Sequence, residues 1–343
     1  MKKIRSIIFL TIMIGYVTQM HGQQGGTSAY DFLNLTNSAK VASLGGNQVG
    51  YWDNDLNLTY HNPAVLSDSM KNQLVLNFVP YMAGINYGYA AYSFKVPKVG
   101  TLAVGIHNIN YGEMTRADEY DNITGTFSAA EYALLITYCK QLSPTLSAGV
   151  SFKPIYSHFD QYASSALAAD VGFMYHSKNK LTSAGVTLKN AGSQISSYES
   201  TTESLPTDLQ AGFTTKLAHA PFRFSITLQG LTEWDLSYEA DDSQNGSAYS
   251  TEENGTIKFG DNLLRHTIFG LEFAPSKTFY IAAGYNHRRR KELSLTEKPS
   301  TVGFSWGIGF RVYKFRFAYG SAQYHLAGSS NHFSLTANLQ DFK

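Results

Sequence analysis

From residue 74 onward, apolar side chains alternate with small or polar ones over windows of about ten residues, as in membrane-crossing strands. In residues 101–107, which read TLAVGIH, Leu102, Val104 and Ile106 share one face, and threonine, alanine, glycine and histidine share the other. A period of two is the period of a β-strand. The pattern therefore predicts that the chain after residue 74 is built of strands.

Fourteen such segments can be counted, and an even number is what bacterial outer-membrane barrels have. Many are long enough to cross a bilayer at a tilt. The pattern therefore predicts an all-β fold, a 14-stranded antiparallel transmembrane β-barrel. The predicted strands are 74–80, 85–95, 99–111, 126–141, 144–157, 163–176, 180–190, 205–218, 221–230, 263–274, 278–288, 300–312, 314–322 and 330–340.

The connections between these segments alternate between short and long, as in outer-membrane barrels with tight periplasmic turns and long outer loops. With an even strand count, we expect both termini of the barrel in the periplasm. The alternative is a large soluble β-sandwich or propeller, but such a fold places charges on its solvent face. Here the second face carries mostly Gly, Ala, Ser and Thr. The long loops are predicted at 112–125, 191–204, 231–262, 289–299 and 323–329.

The chain begins with Lys2, Lys3 and Arg5, followed by an apolar run over residues 7–17. That run is shorter than the ~20 residues of a spanning helix, which argues against a membrane anchor. We therefore predict a secretory signal peptide over residues 1–22. Residues 23–73 lack sustained alternation, and the wall side chains of a wide barrel cannot fill its lumen. We predict that this stretch is an N-terminal plug and that 74–343 is the barrel.

The composition fits a wall that faces lipid. Aromatic residues make up 14% of the chain, and charged residues only 15%, below the usual ~25%. A lipid-facing belt bounded by Tyr and Phe accounts for both values. The net charge of +1 excludes nucleic acid as an expected partner. Cys139 is the single cysteine, so an intramolecular disulfide is excluded.

Signatures of enzyme chemistry are weak. Residues 303–307, GFSWG, match a nucleophile elbow, but that motif needs a turn between a strand and a helix. Phe304 and Trp306 alternate here with Ser305, which predicts a strand with Ser305 facing the lumen. The histidines and carboxylates show no metal-ligand spacing. We therefore expect no enzyme activity, no metal and no cofactor.

Charged residues also fall on the inward face of several strands. Their signs are mixed, which favours ion pairs that hold barrel and plug together over a pore that selects ions of one sign. The candidates for lumen ion pairs are Lys153, Asp170, Asp208, Lys216, Arg223, Glu272, Arg311 and Arg316.

Two outer connections carry strong charge. The loop 231–262 is acidic and contains aromatic side chains suited to protein binding, although disorder until a partner binds fits the pattern equally well. The basic run 288–291 could meet lipopolysaccharide or an acidic partner, and the alternative is a solvated loop that resists aggregation. The candidate partner-binding residues in the acidic loop are Trp234, Tyr238, Asp241, Asp242 and Tyr249.

Residues 38–66 read SAKVASLGGNQVGYWDNDLNLTYHNPAVL: a small-residue start, a Gly-Gly turn, an acidic stretch and then Asn62, Pro63 and Ala64. This stretch resembles the plug signature of the outer-membrane long-chain fatty acid transporter superfamily. The resemblance implies a fourteen-stranded barrel with an N-terminal hatch, and Asn62, Pro63 and Ala64 as the plug motif. It also implies an alternative function, the transport of hydrophobic small molecules across the outer membrane.

Within that superfamily, the chain resembles the PorV/PorQ group of the Bacteroidetes type IX secretion system more closely. The resemblance implies a membrane anchor for the attachment complex of PorU, PorV and PorZ. That complex processes secreted cargo and joins it to lipopolysaccharide, and PorZ is the partner expected to be held. Outer-membrane lipid is a further expected partner. The similar segments are GGTSAYDFLNL at 25–35, LGGN at 44–47, VPYMAGINYG at 79–88 and GTLAVGIHNINYGEM at 100–114.

Overall fold

A closed barrel of fourteen antiparallel strands dominates the computed structural model, which describes residues 28–198, 202–236, 259–293, 301–325 and 328–342. Each strand pairs with its neighbours in chain order, and β1 closes the ring on β14. The predicted antiparallel barrel of fourteen strands is confirmed. The strands are β1 Gln73–Pro80, β2 Asn86–Val96, β3 Gly100–Ala117, β4 Ile123–Ser143, β5 Leu146–Phe159, β6 Tyr162–His176, β7 Thr182–Ser196, β8 Asp208–Lys216, β9 Phe222–Leu228, β10 Thr267–Ser276, β11 Phe279–Asn286, β12 Phe304–Val312, β13 Phe315–His325 and β14 Gly328–Asn338.

The connection between β3 and β4 differs from its prediction. Residues 112–125 were expected to be a loop, but strand pairing continues to Ala117 and resumes at Ile123, so only 118–122 form the turn. The two strands extend beyond their neighbours, because β2 pairs with β3 only as far as Asn110. Both faces of this extension are largely exposed. No buried face imposes alternation there, and the local pattern therefore could not reveal the strands.

Two short helices replace parts of predicted strands. Helix α2, Phe259–Arg265, occupies the start of the predicted strand 263–274, and helix α3, His287–Leu293, follows directly after β11. Each is seven residues long, too short for its period to be distinguished from the strand that it adjoins. Among the described residues, no helix has both the length and the apolar character needed to cross a membrane.

The two faces of the barrel wall differ in chemistry. Large apolar side chains such as Leu76, Phe78 and Trp306 point outward and are about half exposed. Their strand neighbours Val75, Asn77 and Ser305 point inward and are buried. An outward apolar surface on a closed barrel suits the acyl chains of a bilayer, as the sequence pattern predicted.

The N-terminal segment, defined here as residues 28–72, lies inside the ring. Its helix α1, Ala39–Ser43, packs against β11 to β14, whereas its turn at Pro63–Val65 packs against β4, β5 and β6. Contacts with widely separated parts of the wall, all through inward-facing residues, require a position within the barrel. The remaining short 3-10 turns are Asp31–Asn34, Leu56–Tyr60, Asp68–Met70, Met82–Gly84 and Leu339–Phe342.

The first strand begins, and the last strand ends, at the same rim of the barrel. Gln73, at the start of β1, pairs with Asn338, at the end of β14. Both ends of the described barrel therefore lie on one side of the molecule. That this side faces the periplasm stays a prediction, and the predicted signal peptide at 1–22 lies outside the described residues.

Candidate functional site

The candidate site is the interface between the N-terminal segment and the inner wall. Inward side chains of the wall hold backbone atoms of the segment: Ser147 Oγ donates to the Ala64 carbonyl at 2.7 Å, and Ser183 Oγ donates to the Gly50 carbonyl at 2.7 Å. Buried backbone groups outside regular structure need such partners. The wall hydroxyls therefore replace the hydrogen bonds that the irregular segment cannot make with itself.

Glycines in the wall allow the segment to approach closely. A β-carbon added at Gly172 would overlap the side chain of Asn62, and one at Gly149 would overlap the backbone of Pro63. Gly149 and Gly172 face each other across β5 and β6. Only a residue without a side chain leaves room for another chain at this distance.

The motif Asn62, Pro63 and Ala64 lies at this contact. The Asn62 side chain accepts a hydrogen bond from the Ala64 amide at 3.0 Å, and thereby caps the turn Pro63–Val65. Its amide nitrogen donates to the carbonyls of Val49 and Phe173, each at 3.1 Å. One side chain therefore joins two parts of the segment to strand β6, which explains why asparagine suits this position.

The first charge cluster is the wall pair, Lys153 on β5 and Asp170 on β6. The ammonium lies 2.6 Å from the carboxylate, and the two side chains are only 0% and 1% exposed. Asn190 contacts both members of the pair. Its backbone N–H donates to Asp170 at 2.7 Å, and its side-chain oxygen accepts from Lys153 at 2.9 Å. The structure thus brings two of the predicted lumen residues together.

The second charge cluster is the segment cluster, which joins the N-terminal segment to the wall. Lys40 lies 2.9 Å from Asp53 and 3.0 Å from Glu272, and Arg223 lies 3.3 Å from Asp53 and 3.6 Å from Glu272. The Tyr51 hydroxyl donates to Glu272 at 2.6 Å. Arg223 and Glu272 were predicted to face the lumen, and the structure brings them together through these partners.

The electrostatics of the segment cluster follow from its charges. Burial acts to lower the pKa of Lys40, but Asp53 and Glu272 outweigh it and raise that pKa well above its ordinary value. Burial acts to raise the pKa of Asp53, but Lys40 and Arg223 outweigh it and hold that pKa well below its usual range. Lys40 and Asp53 are therefore both charged at neutral pH.

The other predicted lumen residues lie apart from these clusters. Arg311 pairs with Asp341 at 3.4 Å, and Arg316 donates to the Asn54 carbonyl of the segment at 3.2 Å. Lys216 is exposed at the end of β8. Asp208 accepts hydrogen bonds but takes part in none of the ion pairs among the described residues.

Of the predicted partner-binding residues, only Trp234 is described. It is 45% exposed, and its ring stacks on His266 with centroids 5.0 Å apart. The other four lie outside the described residues: Tyr238, Asp241, Asp242 and Tyr249.

The basic run lies on helix α3 and makes contacts within the chain. Arg288 pairs with Glu292 at 2.7 Å, and Lys291 lies 3.6 Å from Asp261. Arg289 turns inward and donates to the Gly45 carbonyl of the segment at 3.3 Å. At least part of this run therefore holds the chain together.

Ser305 lies within β12, where its hydroxyl contacts the backbone of Gly45 and Ser43 at 3.1 Å. This is the inward strand position that the alternation predicted. Among the described residues, no group of three His, Cys, Asp or Glu side chains has the geometry to hold a metal ion.

Sequence reasoning missed the segment's own contributors, above all Lys40, Tyr51, Asp53 and His61. They belong to a stretch without periodicity, so no local signal shows which way each side chain points. The aromatic and charged residues within an otherwise small-residue segment were the one available hint.

No protein-family model and no curated protein matches the sequence. Solved structures do resemble the fold. The toluene transporter TbuX of Ralstonia pickettii is 11% identical, with 89% of this chain and 97% of that chain covered and a TM-score of 0.50. The deltaS2 mutant of TodX, a monoaromatic hydrocarbon channel from Pseudomonas putida, is 12% identical, with the same coverage and a TM-score of 0.51.

The chain has the fold of these channels. This closed fourteen-stranded barrel agrees with the fold that the resemblance to fatty acid transporters implied. At this low identity, the likeness extends to the fold alone.

Proposed function

We propose that this protein is an outer-membrane anchor that holds a surface-exposed partner protein, and that residues 28–72 act as a plug. The observation that carries the proposal is the combination of a tightly seated N-terminal segment with a hydrogen-bonded projection of the wall. Leu33, Tyr51 and Leu56 of the segment are fully buried within the barrel. A filled interior suits a scaffold whose working surface is outside.

The projection is the hairpin tip, defined here as residues 111–128 of β3, β4 and their turn. The Asp118 carboxylate orders the turn by accepting from the backbone of Tyr120 and Asn122 at 2.9 Å. Tyr120 and Ile123 are 78% and 76% exposed. An ordered turn with an exposed tyrosine among acidic residues offers an aromatic anchor for a partner.

The finer identity of the partner rests on the resemblance to the PorV/PorQ group. On that basis, we propose that the chain belongs to a type IX secretion attachment complex, holds PorZ, and acts together with PorU and PorV. Lipopolysaccharide is the proposed acceptor of the cargo which that complex releases.

Purification from native outer membranes in mild detergent tests the proposal. We expect the tagged wild-type protein to recover a large surface protein in stoichiometric amount, identified by mass spectrometry. The variant Tyr120→Ser/Ile123→Ser should recover several-fold less. Leu142→Ser is the matched control, because Leu142 is also exposed on β4 but lies at the opposite end of that strand.

Two results together would exclude an anchor: no stoichiometric partner on the wild-type protein, and unchanged surface attachment of cargo after deletion of the gene. Equal loss of the partner from the hairpin variant and from the Leu142→Ser control would show that the hairpin tip is not the binding surface.

The second candidate function is transport of hydrophobic small molecules, which the likeness to TbuX and TodX favours. Transport needs an apolar binding pocket. Extraction of the purified protein, followed by mass spectrometry, should then release a hydrophobic compound in stoichiometric amount. A matched preparation of an unrelated outer-membrane barrel controls for adsorbed lipid.

A further inference from the structure

A buried histidine of the N-terminal segment lies between two asparagine side chains. His61 is 2% exposed; its Nδ1 is 2.9 Å from Asn47 Oδ1, and its Nε2 is 2.8 Å from Asn37 Oδ1. The amide nitrogen of Asn37 donates to the backbone carbonyl of Asn57 at 3.0 Å. The chain of contacts therefore ends, on this side, at a group that can only accept.

On the other side, the chain of contacts reaches the wall. The side-chain nitrogen of Asn47, Nδ2, is 2.9 Å from Gln210 Oε1 on β8. Gln210 Nε2 is in turn 2.7 Å from the Asp208 carboxyl. Five side chains thus form one continuous line from the Asn57 carbonyl to Asp208. If Asp208 is ionised, this end can also only accept.

When Asp208 is ionised, this line of side chains lacks one proton for a complete set of hydrogen bonds. An amide that donates on one side accepts on the other, and a neutral imidazole does the same. With acceptors at both ends and neutral links between them, two acceptors must face each other somewhere along the line. An extra proton on either His61 or Asp208 removes that conflict. The conflict exists whichever way each amide is turned, because oxygen and nitrogen occupy equivalent positions in a flipped amide.

The surroundings of His61 oppose the extra proton there. Burial, and then the charges of Lys189 on β7 and Lys153 on β5, lower the pKa of His61 well below 6.5, and His107 on β3 acts in the same direction. Tyr60, its neighbour in the segment, packs edge-on against its ring. A neutral His61 fits these neighbours.

The surroundings of Asp208 accommodate the extra proton. Its Oδ1 is buried and has no hydrogen-bond partner among the described residues, and no cation there lies within 4.0 Å of it. Three neighbours favour the charged form: the Gly230 backbone N–H, which donates to Oδ2 at 2.9 Å, and Lys189 on β7 and His266 before β10, which act through space without pairing with it. A buried carboxylate with an unpartnered oxygen is costly, whereas a neutral carboxylic acid is much less so.

We propose that Asp208 is a proton-binding site of the folded protein. Its carboxyl is protonated and donates to Gln210, whose amide donates in turn to Asn47. Asn47 then donates to a neutral His61, and His61 donates to Asn37. The bound proton completes the line that ties the N-terminal segment to β8. Loss of this proton leaves one contact between two acceptors, and the segment is then held less tightly.

The pH dependence has a definite sign. An ordinary aspartate is ionised in the unfolded chain above a pH of about 4, while Asp208 stays protonated when folded. Folding then binds a proton, so stability falls as the pH rises, until Asp208 ionises in the folded state as well. The unfolding equilibrium constant rises by up to tenfold per pH unit in that range.

Infrared difference spectroscopy of the full-length protein in lipid at neutral pH tests the proposal. We expect the difference between wild type and Asp208→Asn to show the loss of a carbonyl band of a neutral carboxylic acid. Asp68→Asn is the matched control, because Asp68 is exposed and paired with Lys95, so its removal should delete carboxylate bands instead. Loss of carboxylate bands from Asp208→Asn would overturn the proposal.

A second measurement reads the other end of the line in the wild-type protein, and it needs a variant only to assign the signal. Nitrogen NMR of histidine-labelled protein should show His61 as a neutral ring with one protonated nitrogen. Its signal is identified by its absence from His61→Gln. An imidazolium at His61 places the proton at the other end of the line and rejects the assignment to Asp208.

Discussion

The wall pair and the segment cluster both lie inside the barrel, but they are built differently. In the wall pair, Lys153 and Asp170 have each other as their only ionic partners among the described residues, and both side chains are almost completely buried. In the segment cluster, Lys40 and Arg223 each contact the same two carboxylates. The difference suggests that a pair fails when one member is lost, whereas a cluster shares its charges among the remaining members.

The largest effect is expected at the wall pair. Lys153→Met leaves Asp170 buried without its cation, which costs about 3–5 kcal/mol of the free energy of unfolding. Denaturant unfolding of the protein reconstituted in lipid measures this cost. The double variant Lys153→Met/Asp170→Leu should regain most of it, because no unpaired charge remains. A double variant as unstable as the single one would show that charge is not the cause.

A smaller effect is expected at the segment cluster. In Lys40→Met, Asp53 and Glu272 keep their contacts with Arg223, so we expect a loss of only about 1.5–3 kcal/mol, the range for hydrogen bonds to charged groups. Proteolysis should become faster within residues 28–72, while the barrel remains closed. A cost equal to that of Lys153→Met would contradict the shared-charge comparison.

A still smaller effect is expected for Asp53 of the segment cluster, whose contribution to the free energy of unfolding is lost at acid pH. Because the folded pKa of Asp53 is depressed, its contribution is present above its ordinary pKa of about 4 and is lost as the pH falls below it. The side chain is 36% exposed, so solvent screening limits that contribution to about 1 kcal/mol. Unfolding of wild type and Asp53→Asn should therefore differ at neutral pH and converge in acid. A constant difference would argue against an ionised Asp53.

The smallest effect is expected at the hairpin tip, which serves as an exposed reference. Arg116 pairs with Asp160, and their side chains are 49% and 33% exposed. Arg116→Ala should cost no more than about 1 kcal/mol, and less in high salt. Thermal unfolding at two salt concentrations measures it. A larger, salt-independent loss would mean that packing of Arg116 on Phe127 matters more than its charge.

The two clusters also differ in how far the sequence could predict them. Lys153, Asp170, Arg223 and Glu272 lie on strands, where alternation alone shows that they point inward. Lys40 lies in a segment without alternation, and nothing local shows its direction. The wall members of the segment cluster, Arg223 and Glu272, were therefore predictable. The members that belong to the N-terminal segment, such as Lys40, were not.

The hairpin tip shows the same limit on the outside. Alternation predicts a strand only where one face is buried and the other is not. Beyond Asn110, both faces of β3 are largely exposed, and the strand continues without that signal. The pairing with β4 is what maintains it.

By itself, the sequence determined the strand number, the inward and outward faces of the wall and the position of Ser305 on the inner face. These features follow from a period of two, which is a property of the local backbone. Only the tertiary structure decided which segment residue meets which wall residue. That outcome depends on closure of the ring and on the register of all fourteen strands. It brings Gly172 against Asn62 and Glu272 against Lys40 across more than a hundred residues of chain.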